Sequence, residues 1–85
     1  MAAHFNRDQI RAALALTDPS LSSFLDLETG QVVQIAEGDT SAAGQQLYED
    51  IMANIGERYR YISGGNPNAS DADVAAWLEN EGLSE

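Results

Sequence analysis

A chain of 85 residues makes one small domain, 1–85, with a modest core, because at this length only roughly 60 % of the unfolded surface is buried on folding. Its 44 % hydrophobic content excludes a wholly disordered chain despite a net charge of −10, and no apolar run nears the ~20 residues that span a bilayer. With no cysteine, disulfides, thiolate catalysis and sulfur-based zinc sites are excluded, and four arginines without a lysine are too few and too scattered to follow a nucleic-acid backbone.

The opening MAAHFNRDQI has no basic stretch followed by an apolar one, so no secretory leader is expected, and the chain reads as soluble and cytoplasmic. Fourteen carboxylates would also be repelled by an anionic membrane surface. A bland surface, a basic protein partner or a cation remain as uses for this acidity. The absence of lysine is equally what a GC-rich or salt-adapted source would give.

The first element is a helix beginning at Asn6, whose side chain can cap the first turn, with Gln9 at the capping-box position. Phe5 and Ile10 fit a hydrophobic staple. Ile10, Ala13, Leu14 and Leu16 form the buried stripe, and Asp18-Pro19 ends the helix. Two strands follow, near 23–28 and 31–36, joined by Glu28-Thr29-Gly30-Gln31 with Gly30 suited to a left-handed backbone. The alternation assigns Leu25, Leu27, Val33 and Ile35 to the core face, and Phe24, Asp26, Glu28, Val32 and Gln34 to the other.

Gly38-Asp39-Thr40-Ser41 then offers caps for a second helix with Leu47, Ile51 and Ile55 at spacings of four, joined by Tyr48 and Met52. Gly44 weakens its first turn and Gly56 is a natural stop. Arg58 to Ile62, RYRYI, reads as a third strand with Tyr59 and Tyr61 inward and Arg58 and Arg60 on the face of Asp26 and Glu28. After the loop Gly64-Gly65-Asn66-Pro67-Asn68, Ser70 with Asp73 starts a third helix whose apolar face is Val74, Trp77 and Leu78. Gly82 and Leu83 suit a Schellman ending. The expected architecture is α+β, ordered α-β-β-α-β-α, with a three-stranded antiparallel sheet in order 2-1-3 packed against helices.

Little of this looks catalytic. His4 is the single imidazole and reads as a solvated terminal residue; no serine has a histidine and carboxylate placed to activate it. Gly64-Gly65-Asn66 lacks both the lysine of a phosphate loop and the glycine spacing of a dinucleotide site. Asp26 and Glu28, two apart on a strand, would point from one face roughly 7 Å apart. They could serve a weak divalent cation or acid–base work, against the plainer reading of a solvated strand face. Tyr59, Tyr61 and Trp77 could stack bases or sugars, but their positions suit a core better. Asp71 and Asp73 sit where carboxylates stabilise a helix N-terminus. The expectation is therefore no catalytic residue, no metal ligand and no cofactor.

Phe24-Leu25-Asp26-Leu27-Glu28-Thr29-Gly30-Gln31-Val32, followed by an acidic helix and by Arg58-Tyr59 with Ile62, resembles the uncharacterised protein family UPF0158. Its members carry a YLDxETGEV-like motif, an acidic stretch and RYxxIP, and Ser70 through Trp77-Leu78-Glu79 loosely matches a third segment. The resemblance covers about 20 to 80, with its weight on the hairpin. Family members run longer, with a GRGAFRRFKD-like basic segment not found in these residues, and the third motif lacks its closing aromatic. The resemblance implies a fold and no established activity.

The reading reached is a non-enzymatic acidic module acting through a protein partner, basic in character, with no nucleic acid and no membrane. Its rivals are an antitoxin-like decoy whose carboxylates imitate a phosphate backbone, and a metal-binding or catalytic domain built on Asp26 and Glu28. If strand two is an edge, no charge guards it between Gln31 and Ala36, so a homodimer through that edge or the outer sheet face is expected.

Overall fold

The computed structural model describes residues 4–83; residues 1–3, part of the stretch read for a leader, and residues 84–85 lie outside the described residues. Helix α1 (Arg7–Ala15) starts as the sequence predicts, with the Asn6 side chain accepting the Gln9 N–H at 3.1 Å. Gln9 does not close a capping box. Its Oε1 accepts the Val32 N–H at 2.8 Å and ties the helix to the sheet. Phe5 packs against the cluster that contains Ile10.

The chain continues through β1 (Leu21–Asp26), β2 (Val32–Ala36), α2 (Ala42–Ala53), β3 (Tyr59–Ile62) and α3 (Asp71–Asn80). The sheet order is β2-β1-β3 with both pairings antiparallel, so the α+β class, the element order and the 2-1-3 topology are as expected. β1 begins and ends two residues before the predicted 23–28. It ends early because Asp26 turns the chain: its C=O accepts the Gly30 N–H at 2.8 Å and its N–H donates to Gln31 at 2.9 Å. Gly30 has φ +77°, and the His4 carbonyl occupies the place a Cβ would take.

The face assignment needs correction. Leu25 pairs with Val32 and Phe24 with Val33, so cross-strand neighbours divide the hairpin differently from the simple alternation. On one face Leu25, Val32 and Ile62 meet Ile10 and Ala13 of α1 and Val74 and Leu78 of α3. On the other, Phe24, Tyr59, Val33 and Ile35 meet Ile51 and Met52 of α2. Val33 and Ile35 are thus opposite Leu25, not beside it. Both faces of the sheet are covered by helices.

Helix α2 is anchored more narrowly than its apolar spacing suggests. Ile51 is fully buried, while Leu47, Tyr48 and Ile55 are 36 %, 52 % and 45 % exposed. The spacing of four does not continue as one helix face: α2 stops at Ala53, and Ile55, beyond the Asn54 cap, instead forms an isolated bridge with Tyr59. Gly44 does more than weaken the first turn: the Asp39 carboxylate lies where its Cβ would be, and that carboxylate accepts both the N–H and the hydroxyl of Ser41, the N-cap.

Helix α3 starts on the predicted Ser70–Asp73 capping box and ends on a Schellman motif. The Leu83 N–H donates to Leu78 at 2.9 Å and the Gly82 N–H to Glu79 at 3.1 Å. The loop before it is structural. Gly65 and Asn66 donate to the carbonyls of Leu16 and Leu14 at 2.7 and 3.0 Å, and Gly64 lies so close to the Leu16 carbonyl that a Cβ has no room. Two carbonyls at the end of α1 are thereby satisfied by a segment some fifty residues later.

Candidate functional site

The hairpin corner holds the carboxylates first considered for chemistry. Asp26 is 4 % exposed at the end of β1. Arg58 Nε donates to its Oδ1 and Arg58 Nη2 to its Oδ2, both at 3.1 Å, and the Glu28 N–H adds a third bond at 2.9 Å. Burial opposes ionisation of Asp26, but Arg58, the Glu28 amide and the Thr29 hydroxyl outweigh it and hold the carboxyl below its ordinary value. Glu28 stays exposed, with its Oε2 3.4 Å from Arg58 Nε. The two carboxylates therefore converge on a guanidinium, which fills the place a cation or a proton-transfer partner would need.

Arg58 reaches this face from just before β3, its guanidinium 5.1 Å from the centre of the Tyr59 ring. Arg60 does not join it. Paired with Leu25, it lies on the opposite face and donates to the carbonyls of Gly56 and Glu81, with the Glu81 carboxylate at 3.9 Å. The expectation that both arginines face Asp26 is corrected by the β1–β3 register.

The remaining sequence candidates are dispersed. His4 is exposed. Tyr59 is buried beneath α2, Tyr61 is 54 % exposed with its ring 5.5 Å from Phe24, and Trp77 packs in the core on the other side of the sheet. They form no stacking platform. Asp73 closes its capping box, whereas Asp71 pairs with Arg11 and links α3 to α1. Among the described residues no group of three His, Cys, Asp or Glu side chains could hold a metal ion, and no helix is long and apolar enough to cross a membrane.

What the sequence reading missed is a cleft of about 530 Å³ between the end of β2 and the first half of α2. Ile35 and Tyr48 supply its apolar surface, and Glu37, Asp39 and Glu49 stand around them. Asp39 is held in its anionic form by the Ser41 hydroxyl and amide. Among the described residues no arginine lines the cleft. The available signal was an acidic flank, Glu37 and Asp39, opposite Glu49 beside Tyr48. It was hidden by reading Tyr48 as core. No family model, curated protein or solved structure matches the chain.

Proposed function

We propose that this chain is a non-enzymatic interaction module of the cytoplasm that takes a basic segment of a protein partner into the cleft beside Tyr48. The observation that carries this reading is the conjunction of three carboxylates, an exposed tyrosine and Ile35, in a place where the chain supplies no cation of its own. Carboxylates close to apolar surface suit the stem and head of an arginine or lysine together, since such side chains lay their methylenes on apolar surface while the charge finds its partner. The enclosure of Asp26 by Arg58 speaks against a metal-binding or catalytic use of the hairpin. Kinship with UPF0158 is part of the same proposal. It is supported by the meeting, in one ion pair, of Asp26 from the first motif with Arg58 from the second.

A decoy that imitates a phosphate backbone is the second reading, favoured by the net charge of −10. Salt separates the two. Isotope-labelled protein titrated with an arginine-rich peptide containing one aromatic residue should shift the resonances of Ile35, Tyr48 and Glu49. Tyr48→Ala should weaken that binding roughly tenfold, and part of the affinity should survive about 0.5 M salt. Binding that is spread over the whole surface, indifferent to Tyr48 and lost in salt would favour the decoy. No binding of any basic peptide would end both readings.

A further inference from the structure

The outer edge of β2 carries a pattern of hydrogen-bonding groups that fits itself. The Asp26 N–H donates to Gln31 and the Glu37 N–H to Ser20, which fixes the antiparallel phase of the ladder. In that phase Val33 and Ile35 direct their main-chain groups toward β1, while Val32, Gln34 and Ala36 direct theirs outward. Among the described residues β2 has no strand on that side. Two of the outward groups are already used: the Val32 N–H by Gln9 Oε1 at 2.8 Å, and the Ala36 C=O by the Asp39 N–H at 3.1 Å. The Val32 C=O, the Gln34 N–H, the Gln34 C=O and the Ala36 N–H have no hydrogen-bond partner among the described residues.

We infer that β2 pairs antiparallel with β2 of a second copy about a two-fold axis at Gln34, giving a continuous sheet across the dimer. In that register each Gln34 N–H donates to the Gln34 carbonyl of the other copy, and each Ala36 N–H to the other copy's Val32 carbonyl. All four open groups are satisfied. The two groups already used, the Val32 N–H and the Ala36 C=O, face each other in this register, so Gln9 Oε1 and the Asp39 amide, which stand between them, move aside as the outer pairs close. A two-fold axis at Val32 or at Ala36 would leave most of each strand without a partner, because β2 spans only Val32–Ala36.

The side chains agree with this register. Val33 of each copy comes opposite Ile35 of the other on the α2 face, and Val32 opposite Ala36 on the α1 face, with the two Gln34 amides meeting at the axis. No charged residue interrupts the stretch from Gln31 to Ala36, where edge strands ordinarily carry a lysine, a charge or a proline against such pairing. Opposing it is the repulsion of two chains of net charge −10. The contact is also short, so the dimer is weak and strengthens as salt screens the charge.

Sedimentation equilibrium up to about 1 mM protein should show a monomer of 9.1 kDa giving way to a dimer, more so in about 0.5 M salt than at low salt. Amide hydrogen exchange assigns the surface. The Gln34 and Ala36 amides should slow roughly tenfold or more as the dimer fills, and the Val32 amide, bonded to Gln9 in the monomer, should change less. Gln34→Pro removes a donor that the monomer does not use and should abolish association. Should that variant fail to fold, Gln34→Glu, which places two carboxylates on the axis, should weaken the dimer and make it more salt-dependent. A chain that stays monomeric at the highest concentration and salt would overturn the inference. So would a dimer in which the Gln34 and Ala36 amides keep their monomer rates, or protection of those amides only when a basic peptide is added.

Discussion

Arg58 grips both oxygens of Asp26 at 3.1 Å across the β1–β3 pairing, and Asp26 also accepts the hydrogen bond from the Glu28 amide that shapes the hairpin. The carboxylate thus joins the turn after β1 to the entrance of β3. Replacing it with alanine leaves half-buried donors without their acceptor and should cost about 1–2 kcal/mol. A double-mutant cycle of Asp26→Asn with Arg58→Gln should show coupling, and the same cycle with Arg60→Gln should show none. Urea titrations of the five variants and the parent measure both.

Acid should find the same pair. The Asp26 carboxyl titrates below its ordinary value of 3.8 when folded, because Arg58 and two further donors overcome its burial. A depressed folded value gives stability that is fully present above about 3.8 and is lost as the pH falls through the folded value. Relief of self-repulsion works the other way on the approach from neutrality. Melting temperature should therefore rise gently from pH 7 toward pH 5 and fall steeply below about 4. In Asp26→Asn the steep limb should be shallower.

The sheet faces explain what was legible in the sequence and what was not. Caps are local, so Asn6, Ser70 with Asp73, and Gly82 with Leu83 could be read from a few adjacent residues. The register of the hairpin is not local. Four residues, 27 to 30, separate the Asp26–Gln31 pair, and an even number sets odd-numbered residues of β1 against even-numbered ones of β2. Reading Leu25 with Val33 assumes an odd number, and that one-residue slip reversed a whole strand. The same slip puts Ile35 on the wrong face, away from Tyr48, with which it lines the cleft.

Helix α2 gives a direct check on burial. Ile51→Ala should cost about 2–4 kcal/mol, as for a methyl-rich side chain removed from a packed site. Leu47→Ala, on the same helix but exposed, and Ile55→Ala, exposed just beyond the Asn54 cap, should each cost under about 1 kcal/mol. Equal losses at all three positions in chemical denaturation would mean that the stripe is buried along its length.

Gly64 is a second check, at a position where space rather than backbone conformation is the constraint. A methyl group there meets the Leu16 carbonyl at the end of α1. Gly64→Ala should lower stability by about 1–3 kcal/mol, as overpacking does. The nearby Gly65→Ala has open space but a left-handed backbone at φ +99°, and should cost about 1 kcal/mol. Thermal melts of the two variants should rank them in that order.

Millimolar calcium or magnesium, compared at matched ionic strength, should leave the melting temperature unchanged, because the Asp26 oxygens already face a guanidinium. A rise of several degrees would indicate that the outer carboxylates gather around an ion.

The stitching of Gly65 and Asn66 onto the last carbonyls of α1 bears on how this chain comes into being. Those carbonyls emerge from synthesis long before the amides that satisfy them, and Arg11, on the same helix, waits longer still for Asp71. Ile10 and Ala13 likewise meet Val74 and Leu78 only when the last helix arrives. A nascent chain halted after β2 already holds Ile10, Ala13, Leu25 and Val32 but leaves them open on the side that Ile62, Val74 and Leu78 later close. The core around α1 is therefore complete only once α3 has been made, and the free energy of α1 is settled some sixty residues after it.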